Sequence, residues 1–91
     1  MDMKELIAEK QSYIEMISAG RKNIARINHD KILIRAELWD EATGTVDQKK
    51  DFIKSKVAEF DYDIATEEAN IEYFYNMLGI IEDKMVMLED E

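Results

Sequence analysis

Asp40-Glu41-Ala42-Thr43-Gly44-Thr45-Val46-Asp47-Gln48 carries signals for the end of one helix and the start of another. Gly44 can take the left-handed conformation that closes a helix C-terminus. Thr45 followed three residues later by Gln48 fits a capping box, and Asp47 stands in a first turn that favours negative charge. Far upstream, Asp2 with Glu5 three residues on makes a second start signal. The chain has no Pro, and its only other glycines are Gly20 and Gly79, so little else stops a helix. These signals predict helix 1 over about 2–42, a turn at about 43–45 and helix 2 over about 46–89. Each helix is then about 60 Å long at about 1.5 Å per residue.

Outward from the turn, hydrophobic periodicity supports the same reading. In the second half Ile53, Val57, Phe60, Ile64, Glu67, Ile71, Phe74, Leu78, Ile81, Met85 and Leu88 alternate 4-3 spacing without a break. In the first half Met3, Leu6, Lys10, Tyr13, Ile17, Gly20, Ile24, Ile27, Lys31, Ile34 and Leu38 do the same. Of these 22 positions 18 carry substantial apolar side chains, against roughly ten expected from composition alone. A strict seven-residue period marks a left-handed coiled-coil seam. Folding back at Gly44-Thr45 pairs residues whose numbers sum to 91, Leu38 with Ile53 through to Met3 with Leu88. The fold class is all-α: an antiparallel, coiled-coil-like two-helix hairpin.

The seam leaves large apolar residues over. Ile7, Ile14, Ile32 and Trp39 flank it on helix 1, and Phe52, Tyr73, Ile80 and Met87 on helix 2. At about 25 cal/mol per Å² of apolar area, leaving them all in water forfeits many kcal/mol. These eight are the expected oligomer interface, and the hairpin is expected to self-associate into a four-helix bundle or larger oligomer.

The chain has 91 residues, 46% hydrophobic and 36% charged, with no Cys. That length allows a single domain over 1–91. Without Cys there is no disulfide framework, no Cys-based metal site and no thiol nucleophile. The longest apolar runs are too short to cross a membrane. No basic-then-apolar leader is visible, so a soluble cytoplasmic protein is expected.

Charge is unevenly divided. The net charge is −9 from 12 basic and 21 acidic side chains, and all of it resides in residues 41–91. Between Val57 and Asp83 there is no Lys or Arg, but eight acids. Helix 1 offers Arg21, Lys22, Arg26, Lys31 and Arg35 beside that stretch in the inferred register. The plain expectation is interhelical ion pairing that fixes alignment. Glu67 interrupts the seam opposite Ile24, within reach of Arg21 or Lys22, and is read as a register residue.

No motif for catalysis appears. There is no glycine-rich phosphate loop, and His29, the lone histidine, has no Glu three residues before it to build a dimetal site. No metal or cofactor is expected, and the chain is read as a non-enzyme.

Three binding roles fit. One is a protein–protein interaction module, an inhibitor presenting the acidic face Glu59, Asp61, Asp63, Glu68 and Glu72 to a basic partner site. A second is an oligomeric sponge holding an anionic small molecule, such as a signalling nucleotide, between subunits with Arg21, Lys22 and Arg26. A third is a structural assembly or chaperone element. Direct nucleic-acid binding is disfavoured because the net charge repels phosphate. In size, acidity and helical character the chain resembles small bacteriophage proteins that inhibit host machinery. That likeness is one of type; it implies a host-cytoplasmic location and assigns no residues.

Overall fold

The structure, a computed structural model, describes residues 2–90. Among them α1 spans Met3–Glu41, α2 spans Val46–Glu89, and there is no strand. The two helices pack side by side into a hairpin rod of 70 × 16 × 13 Å. Its radius of gyration, 20.3 Å, compares with about 12 Å for a compact chain of this length.

Each helix start is satisfied by side chains. Asp2 Oδ1 accepts a hydrogen bond from the Glu5 N–H at 2.8 Å. At the head of α2, Thr45 Oγ1 accepts from the Gln48 N–H at 3.2 Å, and Gln48 Oε1 accepts from the Thr45 N–H at 2.9 Å. The capping box is therefore complete in both directions. The role of Gly44 differs from the expected one. α1 ends at Ala42, whose backbone is extended and whose N–H donates to Leu38 O at 2.8 Å. The positive φ of 103° comes two residues later, at Gly44. The glycine thus reverses the chain into the Thr45 cap instead of closing the last turn of α1. A Cβ there would lie 2.3 Å from Gln48 Oε1, so the capping box closes directly over it.

All 22 seam positions are buried or half-buried. The most enclosed are Leu6 and Ile81, each 1% exposed, followed by Val57, Ile17 and Ile53. Register can be read from cross-helix contacts. Gly20 lies against Ile71, a pair summing to 91, and Lys10–Glu82 and Lys31–Asp61 each sum to 92. Tyr13 and Phe74 meet with ring centroids 6.0 Å apart. The helices approach closely at Gly20, where an added Cβ would sit 2.9 Å from Ile71 Cγ1. Ile71 is β-branched and stiff at χ1, so it cannot easily yield.

Two predictions follow from this packing. Gly20→Ala should lower stability by about 1 kcal/mol in urea unfolding, since overpacking outweighs the helix-propensity gain of about 1 kcal/mol. An unchanged or higher midpoint would show that α1 and α2 are not in close contact there. Separately, Leu6→Ala should cost about 2–5 kcal/mol, whereas Tyr62→Ala, at a residue 72% exposed, should change stability by under about 0.5 kcal/mol.

Candidate interaction surfaces

Because the seam repeats every seven residues, positions seven apart lie in one row along the rod. Three cross-helix contacts define the first flank. Lys10 pairs with Glu82 at 3.7 Å, Lys31 with Asp61, and Arg21 donates to the Tyr75 hydroxyl. Asp61, Tyr75 and Glu82 are separated by multiples of seven and share a row. The Arg21 guanidinium carbon also lies 5.4 Å from the centre of the Tyr75 ring, a cation–π placement.

Near the turn this flank opens into a groove of about 400 Å³ lined by Lys31, Arg35, Trp39, Lys50, Lys54 and Asp61, with Ile53 and Val57 also in its lining. Four cations face one carboxylate in it, a local reversal of the chain's overall sign. Lys49 crowds the other side of the arrangement, with Nζ 5.0 Å from the Trp39 ring centre. At the open end the same flank carries Lys10, Glu82, Val86 and Glu89 around a second, shallower groove. Ile7 and Ile14 stand in the row of Arg21 and Arg35, and Ile32 in the row of Trp39.

On the opposite flank Leu6, Lys84, Met87 and Leu88 border a groove at the open end. Phe52, Glu59, Tyr73, Ile80 and Met87 form one row at multiples of seven, beside Asp63 and Lys84 in the next. The eight apolar residues expected at the oligomer interface are all exposed, but they are divided. Ile7, Ile14, Ile32 and Trp39 of α1 face the first flank, and Phe52, Tyr73, Ile80 and Met87 of α2 face the second. No single two-fold contact can cover both sets.

The acidic residues are spread in the same way. Glu59, Asp61, Asp63, Glu68 and Glu72 are all exposed, yet Asp61, Glu68 and Glu72 belong to the first flank and Glu59 and Asp63 to the second. Among the described residues only Asp61 of the five has an ion-pair partner. The pairing of the basic segment of α1 with this stretch is thus confined to Lys31. The three cations grouped for anion binding also diverge. Lys22 and Arg26 stand one turn apart toward the outer side of α1, whereas Arg21 turns inward to Tyr75.

Glu67 is half-buried on the seam. Its Oε2 lies 3.5 Å from where a Cβ on Gly20 would be, and no ion pair to Arg21 or Lys22 occurs among the described residues. The missing side chain at Gly20 gives its carboxylate room. His29 is exposed and its Nδ1 lies 3.8 Å from Asp30 Oδ1. No group of three His, Asp or Glu side chains among the described residues is arranged to hold a metal ion, and no described helix is long and apolar enough to cross a membrane.

The basic groove and Tyr75 were not singled out from the sequence, although the signal was present. Applying the register that sums to 91 sets Lys54 beside residue 37 and Lys31 beside residue 60, which converges Lys31, Arg35 and Lys54. Comparison of the chain with protein-family models, with curated proteins and with solved structures gives no match.

The Lys31–Asp61 pair carries a modest prediction. Asp61 is half in water, with side-chain exposure of 53%, so Asp61→Asn should cost no more than about 1 kcal/mol. The cost should shrink further at 1 M salt, where the Debye length falls to about 3 Å. A large, salt-insensitive loss in urea unfolding would contradict that assignment.

Proposed function

We propose that the chain is a non-enzymatic binding protein, a self-associating hairpin that grips a basic protein partner with the second flank and outer side of α2. The observation that carries this reading is the combination of unpaired carboxylates with exposed aromatic residues. Glu59 and Asp63 have no counter-ion among the described residues. They bracket Tyr62, which is 72% exposed, and Phe52, Tyr73, Ile80 and Met87 extend the surface along the same helix. Lys56 lies over the Phe52 ring at 5.6 Å and Lys84 stands beside Met87. The acidic part of the surface is therefore centred on Tyr62, where an aromatic anchor between unpaired carboxylates suits a partner that brings Lys or Arg around an apolar patch. The carboxylates steer approach and the rings supply burial.

Self-association is supported by surface area. The chain exposes 6842 Å², while a compact monomer of its mass would expose roughly 5,500 Å². The excess of about 1,300 Å² exceeds the roughly 800 Å² that each partner buries in a standard interface.

The test uses a fluorescent synthetic amphipathic helix rich in Lys and Leu as the probe, with binding followed by anisotropy. Glu59→Lys combined with Asp63→Lys should weaken binding by roughly tenfold or more, about 1.4 kcal/mol per decade. Tyr62→Ala should weaken it without loss of helix content. Undiminished binding by the charge-reversed chain would remove this surface from consideration.

A further inference from the structure

We infer that two copies of the hairpin pack through their first flanks as an antiparallel two-fold dimer, the basic groove at each turn receiving the acidic open end of the other copy. The inference deepens the self-association of the proposed function and rests on it. Two apolar pairs on α1 and one charge pair on α2 point to one symmetry axis.

On α1, the exposed apolar residues of this flank fall into two pairs equidistant from residue 23, Ile7 with Trp39 and Ile14 with Ile32. The stretch between them is small or polar at Ser18, Ala25 and Asn28. A two-fold axis crossing the rod at residue 23 therefore sets Ile7 on the partner's Trp39 and Ile14 on the partner's Ile32. Such self-complementarity is what an isologous contact requires.

On α2, Lys54 and Glu82 of the same flank are equidistant from residue 68, so the same operation sets Lys54 on the partner's Glu82. It also brings Asp47 to the partner's Glu89, a like-charged contact that Lys50, one turn from Asp47, stands beside to offset. Residues 23 and 68 sum to 91, the register of the hairpin, so both helices place the axis at one height along the rod. Lys50 of the groove then lies between the partner's Glu82 and the partner's Glu89, while Arg35 lies opposite the partner's Gln11. Glu82 is only loosely held by Lys10, at 3.7 Å, and is half-exposed, so it can accept a second cation. At the axis itself Glu68 approaches the partner's Glu68, and Arg21 of each copy stands beside them to compensate.

The other face-to-face arrangement, with both turns at the same end, stacks two basic grooves on each other and two acidic ends on each other. Like charges gathered at both ends oppose it. In the antiparallel arrangement every helix has antiparallel neighbours, as in an up-down four-helix bundle. The second flank stays open on both outer sides.

The chain has no Cys, so single-cysteine variants report proximity cleanly. In this dimer Ile14 and the partner's Ile32 are adjacent, whereas the two copies of Ile14 are separated by about 27 Å. A disulfide needs Cα atoms within about 7 Å. Ile14→Cys mixed with Ile32→Cys should give a cross-linked dimer on mild oxidation, and neither variant alone should. Lys54→Glu should weaken the dimer roughly tenfold in sedimentation equilibrium, and adding Glu82→Lys should restore it. A larger assembly that still gives the mixed cross-link also supports the arrangement. A dimeric mass without the mixed cross-link, or cross-linking of either variant alone, would overturn this arrangement but leave self-association standing. A monomeric mass at high concentration would overturn both.

Discussion

One constraint governs this molecule: a seam that repeats every seven residues along both helices and must be closed by a single partner helix. Because each helix has only one neighbour, burial is shallow. Even on the seam most side chains are half-covered, and full enclosure is confined to a few places such as Leu6, Ile81 and Val57. The same repeat that aligns the seam also fixes what lies beside it. Every flank residue belongs to a row, and each row is a candidate surface with its own mixture of charge and apolar area.

That ordering explains why the charges separate as they do. A carboxylate one position from another turns through about 100° of the helix surface. The acidic stretch of α2 therefore wraps around the rod and does not form a wall. Asp61 meets Lys31 on one side of the seam, while Glu59 and Asp63 look away from it. The basic residues of α1 diverge for the same reason. Cations from both helices converge only near the turn, where the groove is bounded by Trp39 and lies over the seam residues Ile53 and Val57.

Much of the architecture is legible in residue order. The seam positions, the Thr45–Gln48 capping box and the pairing near 91 are all local or strictly periodic features, which a linear reading captures. Gly44 is a partial exception, since whether a glycine closes one helix or opens the next depends on backbone angles at its neighbours. Glu67 and Arg21 are harder. Spacing puts Glu67 within reach of Arg21 or Lys22, but the Tyr75 hydroxyl and ring offer Arg21 a partner on its own flank, and the gap at Gly20 gives Glu67 room. Those outcomes depend on which of several reachable groups lies closest in three dimensions, information that spacing does not contain. The division of the leftover apolar residues between two flanks was, by contrast, available from the heptad positions once the helices were paired.

The nearly constant sum of paired residue numbers also dictates how the rod assembles in time. Starting at Gly44, each successive seam layer adds three or four residues from each helix to a loop that is already closed behind it, so the added entropic cost per step is small. Assembly can run like a zipper from the turn, fast and dominated by the contacts already made. Leu6 and Ile81, the two most enclosed large side chains in the hairpin, are covered near the end of that sequence. The far end is thus latched by its best packing, which discourages fraying at the place where a zipper would otherwise begin to open.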